Sequence, residues 1–198
     1  MSGRKRAEIT VVSDETLSRN WYHLSNVTFD YTGSDGKTVR LKREVYDRGN
    51  GATILLRDRK RDRIVLVRQF RMPAHRNGHD GWLLETPAGL LDGEHPEEAI
   101  RREAIEETGY RVGEARFLFR SFMSPGAVTE TIDFFVADVD LSDRVAEGGG
   151  VADENEDIEV VEVSLDEALA MVESGAICDA KTVMLLQWAE IERLRGRW

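Results

Sequence analysis

Alternation of apolar and polar residues predicts two β-hairpins near the start of the chain. The segments NWYHLSNVTFDYT and KTVRLKREVY flank the turn-forming cluster GSDG, which places the first hairpin at residues 20–46. The segments ATILLRD and RIVLVRQF flank RKRD and are richer in β-branched residues. We therefore expect the second hairpin to lie at the centre of the main sheet.

Three helices are predicted from residues that cap or end helices. The first covers about residues 96–108, with proline in its first turn and Gly109 directly after its end. A capping box of Ser164 and Glu167 opens the second, and the third covers about residues 181–195. Further strands are predicted at ARFLFRSF, TETIDFFVADV and IEVVEV. Strands interleaved with helices predict an α/β fold.

Composition narrows the class of protein. A chain of 198 residues with 41% hydrophobic residues suits one compact domain, and we place a boundary between residues 1–47 and 48–198. No apolar run has the length of a signal peptide or a membrane span, so we expect a cytoplasmic protein without membrane contact. The lone Cys178 excludes an intrachain disulfide, and the net charge of -10 argues against binding nucleic acid.

The segment RREAIEETGY places three carboxylates on one side of the first helix. At about 100° per residue, Glu103, Glu106 and Glu107 share one arc of roughly 100° with apolar neighbours. Grouped carboxylates on a partly buried arc repel one another unless they are protonated or bind a cation. Oxygen ligands without histidine or cysteine favour Mg²⁺, with Mn²⁺ as a substitute, although a solvated acidic face is the alternative.

A glycine-rich acidic segment, AEGGGVADENEDIE, interrupts the strand pattern before the second helix. Three successive glycines with many acidic residues predict a flexible loop, and the glycines fit neither a dinucleotide-binding motif nor a P-loop. We interpret them as a hinge.

Residues 88–110, AGLLDGEHPEEAIRREAIEETGY, resemble the Nudix box. Seven segments in the same order are similar to the GDP-mannose pyrophosphatase branch of that family: REVYDRGNGATILL, RQFR, AGLLD, EAIEETGY, MSPGAVTE, GGGVADENEDIEV and DAKTV. The resemblance implies a Nudix α/β/α sandwich with a mixed sheet, preceded by an N-terminal antiparallel sheet used in dimerisation. It also implies a homodimer that hydrolyses the pyrophosphate of a nucleoside diphosphate sugar with Mg²⁺.

The identity of the substrate has two alternatives. GDP-mannose, cleaved to GMP and mannose 1-phosphate, is implied by the branch, whereas ETPAG at residues 85–89 resembles the ADP-ribose pyrophosphatases. A Nudix-fold sensor that binds a nucleotide sugar without cleaving it is an alternative of another class.

The same resemblance assigns site residues. It implies metal ligands at Glu103, Glu107, the carbonyl of Ala88 and Glu156, with Glu106 beside them and Glu154 as a competitor of Glu156. Glu156, Glu154 and Glu130 are the candidates for the general base. The implied substrate contacts are Trp21, Lys42, Arg43, Glu44, Arg71, Ala88, Gly89, Leu90, Glu130 and Lys181. From sequence alone, Trp21 is equally a packing residue in the core or at a dimer interface. For Arg71 the alternative is a surface arginine at the end of a strand.

Overall fold

The computed structural model describes residues 6–150 and 157–198. The strands within these residues are β1 (Glu8–Arg19), β2 (His23–Thr32), β3 (Thr38–Asp47), β4 (Gly51–Asp58), β5 (Arg63–Phe70), β6 (Trp82–Glu85), β7 (Ala88–Leu90), β8 (Arg116–Phe122), β9 (Thr131–Asp138) and β10 (Glu159–Val163). The helices are α1 (Met72–Arg76), α2 (Pro96–Thr108), α3 (Leu165–Ser174) and α4 (Ala180–Leu194). Contacts divide the chain into one compact unit of Met1–Gly49 with Phe122–Glu130 and a second of Asn50–Ser121 with Thr131–Trp198.

The second unit is built on a mixed sheet with the order β10-β5-β4-β9-β8, to which β6 and β7 add at β5 and β4. Strands β4 and β9 are parallel, whereas β5 and β7 run antiparallel to β4. All eight residues of β4 are buried, which confirms the predicted central position of the second hairpin. Burial on both faces requires a layer of helix on each side of the sheet.

The two faces of β4 carry different helices. Ala52, Ile54 and Leu56 share an apolar cluster with Ile100 and Ala104 of α2. Residues of the opposite parity point the other way in a strand, and there Thr53 contacts Thr86, whose amide donates to Thr182 of α4 at 2.8 Å. Helices therefore cover both faces, and the second unit is an α/β/α sandwich.

Capping residues set the helix ends as predicted. Helix α2 begins at Pro96 and ends before Gly109, whose φ of 76° places it in the left-handed region. Ser164 and Glu167 form both bonds of a capping box at the start of α3, which ends at Gly175 with φ 82°. No helix in the described parts of the chain has the length and apolar character needed to cross a membrane.

The first unit contains an antiparallel sheet of three strands in the order β1-β2-β3. The predicted hairpin is confirmed as β2 and β3, which are joined by a turn in which Gly33 donates to the carbonyl of Lys37 at 2.9 Å. The sequence pattern predicts neither strand β1 nor the short helix α1. Eleven of the twelve residues of β1 are exposed, with Ile9 at 56% and Val11 at 62%.

Candidate active site

Glu103 and Gly89 are in direct contact between α2 and β7. A Cβ atom placed on Gly89 would lie 2.3 Å from Cδ and 2.7 Å from Oε1 of Glu103. The carboxylate therefore occupies the space of the missing side chain, immediately above the backbone of β7. Glycine is required here for space, because its φ is not in the left-handed region.

Glu107 reaches the same segment one helical turn later. Its side chain is buried, with the residue only 3% exposed, and Oε2 accepts a hydrogen bond of 3.3 Å from the amide of Ala88. Pairing of β7 with β4 sets Ala88 opposite Thr53 and holds this amide in place. Two carboxylates of α2 thus converge on the backbone of Ala88 and Gly89, and Leu90 ends the same strand opposite Gly51.

Glu106 belongs to an ion cluster on the outer edge of α2. Nη1 of Arg102 lies 3.1 Å from Oε2 of Glu106 and 3.1 Å from Oε1 of Glu103, and its Nη2 lies 3.5 Å from Oε2 of Glu94. Burial opposes the charge of Arg102, but the neighbouring Glu103, Glu106 and Glu94 raise its pKa above the usual value. One cation facing three carboxylates leaves the cluster with net negative charge.

The donor set suits a hard divalent cation. The carboxylates of Glu103 and Glu107 both approach the backbone of residues 88–89, with Glu106 beside them, and carboxylate oxygens match Mg²⁺ or Mn²⁺. Across residues 6–150 and 157–198, no group of three or more histidine, cysteine, aspartate or glutamate side chains is arranged to hold a metal. The predicted outer ligand Glu156 and its competitor Glu154 lie outside the described residues.

Arg71 and Lys181 share one buried carboxylate, Glu85. Nε and Nη2 of Arg71 donate to the two oxygens of Glu85 at 2.9 and 3.0 Å. Nζ of Lys181 donates to Oε2 of Glu85 and lies 3.0 Å from Oδ2 of Asp179. The side chain of Arg71 is 40% exposed, whereas those of Lys181 and Glu85 are 10% and 2% exposed. Arg71 therefore reaches the surface and Lys181 is enclosed.

Electrostatics keep Glu85 and Arg71 charged. Burial disfavours the carboxylate of Glu85, but hydrogen bonding from Arg71 and the charge of Lys181 hold its pKa below the usual value. Burial likewise opposes the charge of Arg71, while Glu85, Glu107 and Asp179 together raise its pKa. Because Glu107 is among these charges, Arg71 lies within electrostatic reach of this carboxylate of α2.

The glycine segment before residue 151 docks on the carboxyl end of α2. The amide of Gly149 donates to the carbonyl of Glu107 at 2.8 Å, and that of Gly150 to the carbonyl of Glu106 at 3.2 Å. These bonds satisfy carbonyls that have no partner within the helix. In the described part the glycines thus cap the helix that carries the glutamates, and the hinge in a flexible loop stays a prediction.

The predicted substrate contacts of the first unit are mostly exposed. Trp21 is 87% exposed, which excludes core packing within this chain. Lys42, Arg43 and Glu44 lie consecutively on β3 and are all exposed. Glu130 is buried, and its Oε1 lies 3.4 Å from Nη1 of Arg48.

Sequence reasoning missed Glu85 and Asp179 as members of the site. Both stand in segments that the pattern already singled out, ETPAG and DAKTV, each beside a residue with an assigned role. The partners of Glu85 lie 14 and 96 residues away along the chain, so only the fold brings this carboxylate to Arg71, Lys181 and the neighbouring Asp179.

The comparisons with known proteins identify the family of the chain. The NUDIX domain model matches residues 47–186, and the model of the GDP-mannose pyrophosphatase NudK N-terminal domain matches residues 8–46. The chain belongs to the Nudix hydrolase family. Its α/β fold with an N-terminal antiparallel sheet is therefore the Nudix fold, as the resemblance of residues 88–110 implies.

Relatives of this Nudix hydrolase share most of its length. It is 54% identical over 188 residues to the GDP-mannose pyrophosphatase of Escherichia coli O1:K1 / APEC, covering 94% of this chain and 97% of the relative. It is 56% identical over 182 residues to that of Citrobacter koseri, covering 91% and 94%. A solved structure described as an ADP compounds hydrolase covers 100% of both chains with a TM-score of 0.74 at 22% identity, which shows the fold.

Proposed function

We propose that this Nudix hydrolase cleaves the pyrophosphate of a nucleoside diphosphate sugar, with GDP-mannose giving GMP and mannose 1-phosphate. The observation that carries the reaction is the convergence of Glu103 and Glu107 on Ala88 and Gly89, with Arg71 in electrostatic reach. The observation that favours the substrate is identity above 50% to relatives named GDP-mannose pyrophosphatase over nearly the whole chain.

Nudix hydrolases generally depend on a divalent metal, and we propose Mg²⁺ here, with Mn²⁺ as a substitute. Glu103, Glu107 and the carbonyl of Ala88 would hold it, with Glu156 as the outer ligand and Glu106 as a further or water-mediated one. When bound, such a cation lowers the pKa of water and neutralises charge on phosphate oxygens. The donor set supports this proposal, since it offers oxygen atoms only.

The chain's own residues then orient the reaction. Arg71 presents a guanidinium edge that suits bidentate binding of phosphate oxygens. Attack by water on phosphorus requires a base, for which Glu156 is our first candidate and Glu154 and Glu130 are the alternatives. Glu130 already has a cationic partner in Arg48, whose Nη1 lies 3.4 Å from its Oε1. Lys181 is proposed as a further substrate contact.

We further propose that residues 1–47 form a dimerisation region that also contacts substrate, and that 48–198 form the hydrolase domain. The exposed row of β1 supports an interface with a second copy of the chain. Trp21, Lys42, Arg43 and Glu44 are proposed to contact the nucleotide sugar from the partner protomer, with Trp21 stacking on the base.

The experiment that tests the function is product analysis with Mg²⁺ against GDP-mannose and ADP-ribose side by side, with Glu107→Gln as the blank. We expect GMP and mannose 1-phosphate in clear excess, and no product after removal of metal with EDTA. If AMP and ribose 5-phosphate dominate, the enzyme is an ADP-ribose pyrophosphatase, the class that the segment ETPAG resembles. Ligand returned unchanged by the wild type would indicate a sensor.

A further inference from the structure

One buried carboxylate, Glu85, joins the two cations to which substrate contacts are assigned. The residue is 1% exposed at the end of β6. Its Oε1 binds Nε of Arg71, and its Oε2 accepts from both Nη2 of Arg71 and Nζ of Lys181. A buried carboxylate is costly unless it is paired and hydrogen-bonded, and both side chains that bind Glu85 within the described residues are assigned to the site.

The carboxylate is held rigidly by its surroundings. Asp179 at the start of α4 binds Lys181 and also accepts from the amide and hydroxyl of Thr182 at 3.0 and 2.7 Å. The hydroxyl of Thr182 accepts from the amide of Thr86, the residue after Glu85, at 2.8 Å. Helix α4 and strand β6 are thus joined by a continuous, largely buried network that reaches Thr86, two residues before Ala88.

The fork of Arg71 is oriented by this network. Both described acceptors of its guanidinium are the oxygens of Glu85, bound through Nε and Nη2. A planar guanidinium bound along one edge can rotate little, so its remaining N–H groups point in a set direction. The side chain is 40% exposed, and its charge interacts with Glu107. Arg71 is therefore partly exposed to solvent while its charge interacts with Glu107 of α2.

We infer that Glu85 is a positioning residue for the proposed pyrophosphate hydrolysis, on which this inference rests. Its carboxylate holds Arg71 and Lys181 as one array of fixed geometry, so that Arg71 receives a phosphate group without first being ordered. Preorganised cations bind charge that develops in a reaction better than mobile ones, because no reorganisation is needed at the moment of reaction.

A double-mutant cycle tests this inference. Glu85→Gln preserves the shape of the side chain and removes its charge. Arg71→Ala removes the side chain that Glu85 is proposed to orient. The double variant measures the coupling energy between the two residues. Glu192→Gln is the matched control, because Glu192 is also a buried carboxylate bound by both Nε and Nη2 of an arginine, Arg197, at 2.8 and 2.6 Å. All variants are assayed for kcat and KM with the nucleotide sugar and for folding by circular dichroism.

We expect Glu85→Gln to lower kcat/KM by about 10- to 100-fold, as loss of a residue that orients a ligand typically does. Part of this loss appears as a higher KM, and the loss in the double variant is well below the product of the single losses. Glu192→Gln keeps kcat/KM within about threefold, because the ion pair it breaks joins no residue assigned to the site. Losses that multiply in the double variant, or an equal loss in Glu192→Gln, would overturn the positioning role.

If Glu85→Gln does not fold, Arg71→Lys carries the test, because lysine keeps the charge without the planar fork. Wild-type kcat/KM in Arg71→Lys would contradict a role for oriented geometry. If the wild type cleaves neither nucleotide sugar, the proposed function fails, and the inference is judged on binding of inorganic pyrophosphate with Mg²⁺ by calorimetry. Weaker pyrophosphate binding by Glu85→Gln but not by Glu192→Gln supports the positioning role of Glu85. Binding that is unchanged in Glu85→Gln, or undetectable in the wild type, rejects it.

Discussion

At the scale of single residues, Gly89 leaves no room for a methyl group. The Cβ of Gly89→Ala would lie 2.3 Å from Cδ of Glu103, so the carboxylate must move away from the backbone of β7. We expect kcat to fall by about 100-fold, because displacement of a reacting geometry by roughly 1 Å has that effect. The thermal midpoint should change little, since the atoms that must move are the far end of a flexible side chain.

The control for this variant is Gly113→Ala. Gly113 has ordinary φ and nothing within 4 Å of an added Cβ, so the same substitution there tests only the loss of glycine. Steady-state kinetics and thermal unfolding of both variants separate the two effects. Near-wild-type kcat in Gly89→Ala would mean that the contact between Glu103 and β7 does not matter for turnover.

Glu85 predicts how stability depends on pH. Its folded-state pKa lies below the ordinary value of 4.5, so its ion pairs stabilise the fold fully above pH 4.5 and are lost as pH falls through the folded-state pKa. Glu85→Gln should lower the free energy of unfolding by about 3 kcal/mol at neutral pH, the usual cost of removing one partner of a buried ion pair. The difference in the free energy of unfolding between Glu85→Gln and the wild type should shrink as the pH falls. Urea unfolding at pH 7 and pH 4 measures it, and a difference that grows at low pH would contradict the lowered pKa of Glu85.

At the scale of elements, the carboxyl end of α2 depends on two glycines that meet. A Cβ on Gly148 would lie 2.6 Å from the carbonyl carbon of Thr108, and one on Gly109 would lie 2.4 Å from the carbonyl oxygen of Ala146. Both have positive φ, of 70° and 76°. The helix end and the docked segment thus interlock through backbone atoms, which cannot move as a side chain does.

We therefore expect Gly148→Ala to cost more than its backbone conformation alone explains. Gly175 ends α3 with φ 82° and has nothing within 4 Å of an added Cβ, so Gly175→Ala measures the conformational penalty alone, about 1 kcal/mol. Gly148→Ala should lose about 1–3 kcal/mol beyond this through overpacking. It should also lower kcat, because Glu106 and Glu107 lie in the last turn. If urea unfolding shows equal losses of unfolding free energy for Gly148→Ala and Gly175→Ala, the segment around Gly148 accommodates the added methyl group without overpacking.

The elements that sequence predicts well are those whose signals are local. Helix α2 was found because Pro96 and Gly109 mark its ends, and the buried hairpin because β-branched residues fill it. Strand β1 is not predicted because almost none of its residues are buried. Its sequence therefore lacks the alternation of apolar and polar residues that packing against a core produces. Glu85 was missed for a different reason, since its partners Arg71 and Lys181 are distant along the chain and nothing local marks a shared carboxylate.

At the scale of the whole molecule, the exposed strand β1 predicts association. Ile9 and Val11 alternate on one face at 56% and 62% exposure, with Thr10 between them pointing the other way. We expect a dimer in solution by light scattering. The double substitution Ile9→Lys/Val11→Lys should shift it towards monomer, while Thr10→Lys should have less effect. A wild-type monomer at micromolar concentration would contradict the dimer proposal.

If the first unit completes the site of the partner protomer, two inactive variants must restore each other. Glu107→Gln removes a carboxylate of the hydrolase domain, and Lys42→Ala removes an exposed side chain of β3 with little risk to folding. Random mixing of the two after unfolding and refolding gives half mixed dimers, each with one site made of two intact halves. We therefore expect about a quarter of wild-type activity, since one site in two is intact in half of the dimers. If both residues serve the same protomer, every site in the mixed dimer carries one substitution, and mixing restores nothing.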